Sequence, residues 1–377
     1  MTIRTLLRGF SLASVALAVT TIPGRAFEWQ TATPESRGFS SAKIDAFEHL
    51  LAAHGTQAFL LIDDDHIIGE WYSADFSAKK LHYTASMAKA VVGGVAAAVA
   101  ISDGRMSLDD PAAKYIPQWR GDPVKSRITL RELGSHTSGV DDAESHDLLH
   151  AKLTGWKGDF WKRLPPPRDP FTLSRDVAPV VFPPGTKRLY SNPGIAMLAY
   201  ATTAALKDAP QKDLRTLLRD RVMRPIGVAD SDWDAGYGQT FAVDGLPLVA
   251  AWGGGGYTAR ATARLARLML HGGEWDGRRL IAAAAVRAVT QDAGTPGPGG
   301  IGWWNNRDGF VAAMPRDAYW GAGAEDQLAL VIPSRKLIAV RYGGSLGPDL
   351  QNDDAADRWF FTPLMAAIEK APAKQRK

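Results

Sequence analysis

The spacing of apolar residues in the first third of the chain predicts a helix, a hairpin and a second helix. The serines at 40–41 are good helix N-caps, and apolar residues then recur at helical spacing until Gly55. Two strand-like runs, 58–62 and 67–72, are separated by a short polar segment, which is typical of a β-hairpin. Residues 90–101 are almost wholly apolar and rich in alanine, which predicts a helix buried on all sides.

The pattern changes twice further along the chain. Residues 103–245 carry helical and loop-like signals interrupted by proline-rich segments, which predicts a helical insertion. Strand signals return at 328–332 and 337–342, and a final helical stretch covers about 354–369. Because strand signals occur near both ends, we expect the two ends to share one antiparallel sheet. The sequence therefore predicts an α/β fold of the α+β type, with helices flanking that sheet.

The N-terminal segment has the layout of a secretory signal peptide. Two arginines precede an apolar run of thirteen residues, 10–22, and small residues around Gly24 end it, which predicts cleavage before Phe27. That run is too short for a membrane span, and no later stretch reaches about eighteen uncharged apolar residues. We therefore expect an exported protein, periplasmic or secreted, with no stable membrane span.

These signals predict one domain after the signal peptide. The predicted organisation is a signal peptide at 1–26, a domain at 27–370 with sheet regions at about 27–85 and 246–370 and a helical region at about 86–245, and a flexible tail at 371–377. No internal repeat divides the domain further. The sequence leaves the oligomeric state open.

Composition and charge narrow the chemistry. The chain has 377 residues, 45% of them hydrophobic, and no cysteine, so disulfides, thiolate metal sites and cysteine nucleophiles are excluded. Three of the 44 basic residues and none of the 40 acidic ones lie in the predicted signal peptide, so the formal charge falls from +4 to +1 on its removal. Such a balance gives no reason to expect a nucleic-acid partner.

One of three Ser-x-x-Lys spacings has a context that suits catalysis. The three occur at Ser40/Lys43, Ser77/Lys80 and Ser86/Lys89. A serine and a lysine three residues apart share one face of a helix, so the amine can deprotonate the hydroxyl. Ser40 opens a surface helix and Ser77 lies in a polar turn, whereas Lys89 directly precedes the apolar run. Burial and the positive end of the helix dipole both disfavour a charged amine there.

Ser86 and Lys89 therefore become candidates for a nucleophile and its base. The N–H groups at the start of the same helix could also stabilise the oxyanion that forms when Ser86 attacks a carbonyl. The alternative is that Ser86 only caps the helix while Lys89 extends to the surface. A second candidate element is Tyr190-Ser191-Asn192, in which the phenol can relay a proton to a leaving group. The Asn192 amide can hold a substrate carbonyl or orient the lysine.

Together these two elements resemble the superfamily of class C β-lactamases, penicillin-binding proteins and family VIII-type carboxylesterases. The stretch 131–139 is similar to the family's Leu-Leu-Ser-His-Thr-Ser-Gly segment, with Gly134 in place of the second leucine, and 253–260 resembles its glycine-rich turn. The resemblance covers roughly 35–365. It implies a β-lactamase/transpeptidase-like fold and a serine hydrolase that needs no cofactor or metal, with Ser86 as nucleophile, Lys89 and Tyr190 as acid/base pair, and Asn192 positioning the substrate.

The family's third motif, Lys-Thr-Gly, is absent from this chain. The matching segment is Gly321-Ala322-Gly323, and with Trp320 before it the segment resembles the Trp-Gly-Gly variant of some esterases. The resemblance implies that Trp320 and Gly323 border the substrate and that Ala324 supplies the second oxyanion N–H. A backbone donor survives the change, but the cation that receives a substrate carboxylate is lost. Arg316 and Arg341 are the candidates to replace it.

Other patterns in the sequence do not support different chemistry. The segment 343–347 matches the Gly-x-Ser-x-Gly of α/β-hydrolases, but no histidine follows it, so we expect a turn after an edge strand. His146 and His150 share a helical spacing but lack a third metal ligand. We expect His136 to have a structural role. Four tryptophans should lie near the cleft, and these are Trp252, Trp303, Trp304 and Trp320.

Three functions remain open on the sequence alone. The first is an exported esterase or amidase acting on a small-molecule ester, amide or short peptide. The second is a β-lactamase or D-Ala-D-Ala peptidase with the same mechanism, which would need a cation in place of the missing lysine. The third is a protein of the same fold that binds a ligand without cleaving it. The sequence does not decide whether Lys89 or Tyr190 is the base, because the two would titrate as a coupled pair.

Overall fold

A mixed β-sheet lies at the centre of the fold. The structure is a computed structural model and describes residues 27–145, 147–347 and 352–369. The strands in these ranges are β1 (Gln30–Thr31), β2 (Thr56–Asp63), β3 (His66–Tyr72), β4 (His82–Tyr83), β5 (Trp233–Asp234), β6 (Phe241–Val243), β7 (Leu246–Leu248), β8 (Gly256–Tyr257), β9 (Glu274–Trp275), β10 (Arg278–Arg279), β11 (Trp304–Asn305), β12 (Tyr319–Gly323), β13 (Gln327–Ile332) and β14 (Leu337–Gly343). Within the described residues, seven strands form the central sheet in the order β1-β3-β2-β14-β13-β12-β11.

Helices cover both faces of this sheet and fill the middle of the chain. The α-helices in the described ranges are α1 (Ser41–Ala53), α2 (Val95–Ser102), α3 (Leu130–Gly134), α4 (Gly155–Lys162), α5 (Pro170–Thr172), α6 (Asn192–Ala205), α7 (Leu214–Leu218), α8 (Ala259–Leu270), α9 (Ala283–Thr290), α10 (Asn352–Ala356) and α11 (Thr362–Ala367). Segments of π-helix occupy Lys89–Gly94, Leu173–Val177, Arg219–Met223 and Asp357–Phe361. Short 3₁₀ turns include Ala85–Met87 before the first of these and Ala324–Asp326 after β12.

The sheet joins the two ends of the described chain, as predicted. The hairpins β2–β3 and β13–β14 form where the apolar runs indicate them, and β14 pairs with β2 in antiparallel orientation. The expectation of a wholly antiparallel sheet is wrong at one edge, because β1 runs parallel to β3. Helix α1 lies between β1 and β2 in the chain, and a crossover of this kind allows parallel pairing.

Successive side chains along a strand point to opposite faces of the sheet, which explains how one sheet packs against two layers of helices. On β2, Phe59 and Leu61 pack into the hydrophobic cluster formed with α1 and α11, whereas Leu60 and Ile62 pack into the larger cluster on the opposite face. Helix α8 lies against β2, β13 and β14 on that second face. A strand buried on both faces reads as a continuous apolar run.

The apolar run after Lys89 forms the buried helix predicted for it. The segment Ala85–Ser102 is helical throughout, beginning with a 3₁₀ turn and continuing through a π-helix into α2. Among the described residues it is the one helix long and apolar enough to cross a membrane, and 83% of it is buried inside the fold. A Cβ on Gly94 would lie 2.6 Å from the carbonyl oxygen of Ile301, so glycine allows the segment 301–303 to pack closely on this helix.

Several details differ from the sequence-based expectations. The region 103–245 is expected to be helical or loop-like, but it contains the short strands β5 and β6 near its end. Strand β14 lies between β2 and β13, so the expectation that Gly343 follows an edge strand is wrong. The C-terminal helical stretch is divided into α10, a π-helix and α11. The predicted signal peptide, the predicted tail and His146 lie outside the described residues.

Candidate active site

Ser86 lies at the start of the buried helix, in a turn that is held by hydrogen bonds to a distant segment of the chain. Ala85 before it adopts a left-handed backbone conformation with φ of 47°, which is unusual for a residue with a side chain. Thr84 anchors this turn, since its N–H donates to the carbonyl of Gly255 at 3.3 Å and its Oγ1 donates to the carbonyl of Gly254 at 2.8 Å. The glycine-rich segment that resembled a family motif therefore supports the Ser86 turn.

Lys89 faces Ser86 from one helical turn later. Its Nζ lies 3.1 Å from Ser86 Oγ, 2.7 Å from Asn192 Oδ1 and 2.5 Å from the backbone oxygen of Trp252. The lysine is only 3% exposed. Burial lowers its pKa to about 7, although the carboxylates of Asp142 and Glu144 act in the opposite direction. A large fraction of Lys89 is therefore neutral near pH 7 and can accept a proton.

Tyr190 completes the group around Ser86. Lys89 Nζ lies 4.6 Å from the centre of its ring, and its hydroxyl is near enough to Ser86 for that side chain to lower the pKa of the phenol. Burial raises the pKa of Tyr190 well above its usual value, and the nearby carboxylates of Glu144 and Asp142 raise it further. The phenol therefore stays protonated at neutral pH. It is placed to donate a proton rather than to remove one.

His136 packs beside this group without sharing its chemistry. Its ring lies 4.6 Å from that of Tyr190, and its Nδ1 accepts the N–H of Ser191 at 3.2 Å. Burial and the positive charges of Arg188 and Lys89 hold the pKa of His136 well below its usual range. The imidazole is thus neutral and engaged with the backbone, in keeping with the structural role expected for it.

Asn192 is fully buried, and its amide is occupied by protein groups. Its Oδ1 accepts from Lys89, while its Nδ2 donates to Asp142 Oδ1 at 3.0 Å and to Glu144 Oε1 at 3.1 Å. The backbone N–H of Asn192 also donates to Asp142 Oδ1, at 2.8 Å. Of the two roles considered for this residue, the geometry favours orienting the lysine over holding a substrate carbonyl.

Asp142 and Glu144 were not singled out in the sequence. Burial raises the pKa of Asp142, while its hydrogen bond from the Asn192 backbone acts against that rise. The sequence feature that could have indicated both residues is the acidic stretch 141–144, which begins two residues after the family-like segment ends at Gly139. Acidic residues in a loop are common, and the sequence alone gives no reason to connect these two with Asn192.

The end of β12 lies directly against the Ser86 turn. A Cβ placed on Gly323 would contact the carbonyl of Thr84 and lie 2.9 Å from the backbone nitrogen of Met87, so only glycine fits without displacement. Trp320, Gly323 and Ala324 line one cavity of ≈200 Å³ together with Ser86 and Tyr190. The structure therefore brings the residues predicted for the third motif to the candidate nucleophile.

Two spaces of unequal size flank Ser86. The larger one, which we call the aromatic arm, is the ≈200 Å³ cavity, whose lining includes the rings of Trp304, Phe310, Trp320 and Phe361. The smaller one is a slot of ≈20 Å³ that includes Lys89, Arg188 and Trp303. Trp252 reaches neither space with its side chain, which is 1% exposed, and contributes its carbonyl oxygen to Lys89 instead.

Neither arginine proposed as a substitute for the missing lysine lines these spaces. Arg341 is fully buried, and it donates to the carbonyl oxygens of Glu325 at 2.6 Å and Asp326 at 2.9 Å, in the turn that begins at Ala324. It also donates to Thr56 Oγ1 and to two carbonyl groups on neighbouring segments. Arg316 is exposed and borders a separate cavity of ≈530 Å³ that does not include Ser86.

The arrangement matches a known family over most of the chain. The family model described as Beta-lactamase matches residues 44–360. The chain belongs to the beta-lactamase family. The 6-aminohexanoate-dimer hydrolase of Paenarthrobacter ureafaciens is 26% identical to it over 299 residues, which cover 76% of this chain and 69% of that protein. A β-lactamase of Pseudomonas fluorescens is 28% identical over 135 residues, or 35% of this chain and 31% of that protein.

Solved structures of other proteins share the fold. A family VIII carboxylesterase superposes with a TM-score of 0.65 at 17% identity, covering 90% of this chain and 98% of that one. A penicillin-binding protein homologue from Caulobacter crescentus superposes with a TM-score of 0.61 at 20% identity, covering 90% of this chain and 99% of that one. The predicted family and β-lactamase/transpeptidase-like fold are confirmed, and so is the expectation of a serine hydrolase.

Proposed function

We propose that this protein is an exported serine hydrolase that cleaves ester or amide bonds through an acyl-enzyme on Ser86. The observation that carries the proposal is the buried Lys89 amine, whose Nζ lies 3.1 Å from Ser86 Oγ and whose pKa burial lowers to about 7. An amine of this kind is a general base at neutral pH. Export rests on the signal-peptide pattern of residues 1–26.

In the proposed mechanism, neutral Lys89 takes the hydroxyl proton of Ser86 while Oγ attacks the substrate carbonyl. The backbone N–H groups of Ser86 and Ala324 stabilise the oxyanion. Tyr190 then donates its proton to the departing oxygen or nitrogen and regains one from Lys89. The bond to the leaving group breaks, and the acyl group remains on Ser86. A water molecule repeats the attack in the second half, with its proton passing back through the same pair.

Asn192 acts as a positioning residue in this scheme. Its Oδ1 and the Trp252 carbonyl accept hydrogen bonds from Lys89 Nζ, which holds the amine within 3.1 Å of Ser86 Oγ. Asp142 in turn fixes the Asn192 amide. Such a chain orients the base without touching the substrate.

Neutral esters and amides suit the end of β12 better than substrates whose carboxylate would need the missing motif lysine. The Lys-Thr-Gly lysine is absent, and Arg316 and Arg341 are engaged away from the cleft. The likeness to a family VIII carboxylesterase and the relative named as a 6-aminohexanoate-dimer hydrolase also support an esterase or amidase. We therefore place β-lactam and D-Ala-D-Ala hydrolysis second.

The proposal is tested by trapping the acyl-enzyme. Mature protein is incubated with a fluorophosphonate and, separately, with excess penicillin, and its intact mass and labelled peptide are measured. We expect one fluorophosphonate adduct on the Ser86 peptide and none in Ser86→Ala, while Ser40→Ala and Ser77→Ala label normally because their serines lack a buried lysine. Labelling elsewhere, or no labelling and no ester turnover, would refute the proposal. A lasting penicillin adduct that depends on Ser86, or rapid Ser86-dependent hydrolysis of the penicillin, would favour a β-lactamase or D-Ala-D-Ala peptidase.

The pH dependence of the reaction follows from the pKa of Lys89. Because the neutral amine is the active form, kcat/KM for a neutral ester is expected to rise with pH and to level off above an inflection near pH 7. An ordinary lysine would place the inflection about three units higher. His136 is already neutral in this range, since its pKa lies well below the usual value. A flat profile between pH 5.5 and 8.5, measured with a non-ionising ester, would contradict this assignment of the base.

A further inference from the structure

The charge of the aromatic arm differs in sign from that of the small slot. No lysine or arginine is among the described residues that line the arm, whereas the slot on the other side of Ser86 contains Lys89 and Arg188. The arm contains two carboxylates, Glu144 and Asp326. Asp326 is 3% exposed, and its Oδ2 accepts the N–H of Leu346 at 2.9 Å.

Glu144 is the carboxylate of the arm that substrate can reach. Its side chain is 41% exposed, and one of its oxygens accepts from Asn192. Its ion-pair partner among the described residues is His150, at 3.6 Å, which stacks on Trp161 at the surface. No lysine or arginine in the described part of the chain pairs with the Glu144 carboxylate. Within the described residues, the Glu144 carboxylate therefore has no direct ion pair with a permanent cation, and the nearby Lys157 ammonium reaches only the Glu144 backbone oxygen, at 3.5 Å.

Aromatic rings surround the space that this carboxylate faces. Trp304, Phe310, Trp320 and Phe361 line the arm, and Phe310 is 51% exposed. The Arg188 guanidinium of the slot already lies 4.4 Å from the centre of the Trp304 ring, so the rings of Phe310, Trp320 and Phe361 are the ones that a substrate cation can meet. Ring faces attract cations through their quadrupole, and an adjacent carboxylate adds a Coulombic attraction in a partly desolvated space. The same surroundings repel a carboxylate. At ≈200 Å³ against ≈20 Å³ for the slot, the arm is also the space beside Ser86 that admits a branched substituent.

We propose that the aromatic arm selects substrates whose bound portion carries an amine cation, protonated or quaternary, and that Glu144 is the residue that sets this preference. The inference rests on the proposed function, because the arm selects for the reaction at Ser86. The amine contacts ring faces and Glu144 and takes no part in bond breaking. Glu144 is thus a specificity-determining residue.

The coupling of Glu144 to Lys89 supplies a second readout. The Glu144 carboxylate raises the pKa of Lys89. A substrate cation bound beside Glu144 offsets that effect, so the inflection in kcat against pH should lie lower for a cationic substrate than for its neutral isostere. The neutral isostere fills the same space without a charge, so it does not produce this offset.

The test uses ester pairs that differ only in charge. One pair carries the group in the acyl part: p-nitrophenyl 4-(trimethylammonio)butanoate and p-nitrophenyl 5,5-dimethylhexanoate. The other carries it in the leaving part: acetylthiocholine and S-(3,3-dimethylbutyl) thioacetate. Mono-p-nitrophenyl adipate is the anionic probe. We expect kcat/KM for the cationic member of at least one pair to exceed that of its isostere by about tenfold, with adipate hydrolysed least.

The matched variants are Glu144→Gln and Asp147→Asn. Glutamine keeps an acceptor for Asn192 and removes the charge, so the cationic-to-neutral ratio should fall several-fold toward one and the inflection difference should become smaller. Asp147 is exposed and does not line the arm, and its replacement should leave the ratio unchanged. Comparing two substrates in one variant cancels any general loss caused through Asn192 or Lys89.

The outcomes separate this inference from the proposed function. If the native protein hydrolyses the neutral esters through Ser86 but both ratios lie near one, or if Glu144→Gln leaves a high ratio intact, the inference is overturned and the proposed function stands. Preference for the adipate ester also overturns it, and would indicate Arg188 as the charge that substrates meet. If no ester is cleaved in a Ser86-dependent way, both proposals fail together.

Discussion

Replacing Lys89 by methionine is expected to lower kcat/KM for a neutral ester by about 10³-fold, the usual contribution of a general base. Methionine has a similar length and fills the buried space, but it cannot take the Ser86 proton. It also leaves Asn192 Oδ1 and the Trp252 carbonyl without their donor. The measurement is steady-state hydrolysis of p-nitrophenyl butyrate, together with circular dichroism and a thermal melt to show that the variant is folded.

Lys43→Met is the matched control for this substitution. Lys43 stands three residues after Ser40, as Lys89 does after Ser86, but its side chain is 48% exposed on α1. Its replacement should leave kcat/KM within a factor of about two, as expected for a surface position. If a folded Lys89→Met variant kept more than a tenth of the native activity, another group would have to serve as the base.

Adding one methyl group at Gly323 is expected to reduce kcat/KM by about 10²-fold, through displacement of the nucleophile. The new Cβ would contact the Thr84 carbonyl and lie 2.9 Å from Met87 N, so either β12 or the Ser86 turn has to shift. Both carry a proposed oxyanion donor, Ser86 in the turn and Ala324 directly after the strand. The shift therefore changes the distance between the two N–H groups.

This prediction for Gly323→Ala is checked by kinetics and by fluorophosphonate labelling rates, which should fall in parallel. Gly121→Ala serves as the control, because a Cβ there meets no atom within 4 Å. Its activity and melting temperature should match those of the native protein. A Gly323→Ala variant with native kinetics would mean that the β12 terminus does not contribute to oxyanion stabilisation.

Local sequence patterns predicted the parts of the fold that depend on local chemistry. The caps at Ser40, the hairpin β2–β3 and the buried helix after Lys89 all follow from the spacing of apolar residues. The position of β14 was predicted less well. A strand that helices cover on both faces has the same apolar sequence pattern whether it lies at the edge or at the centre of the sheet. Its position depends on which strands pair with it, and those strands come from distant parts of the chain.

In the candidate site, too, residues close together in the sequence could be predicted better than contacts between distant segments. Ser86 and Lys89 could be recognised from their spacing and from the apolar helix that follows them. Asn192, 103 residues further along the chain, was a candidate only through the Tyr190-Ser191-Asn192 motif, which left its role open between substrate and lysine. The contact of Lys89 with the Trp252 carbonyl, 163 residues away, could not be predicted, because a backbone oxygen leaves no mark in the sequence. Glu144 went unnoticed for a similar reason, as nothing near it in the sequence indicates that it faces an aromatic cavity.

Arg341 shows how this architecture can change its substrates while keeping its chemistry. Four of its five hydrogen-bond acceptors are main-chain carbonyl oxygens, on Glu325, Asp326, His54 and Gly344. The turn that follows β12 is therefore held by groups that every amino acid possesses, whereas the aromatic walls of the arm are side chains. Substitutions at Trp304 or Phe310 can therefore alter which substrates enter the arm without disturbing the turn that carries the proposed oxyanion donor Ala324. The arm is thus the part of the site where substrate preference can evolve separately from the reaction.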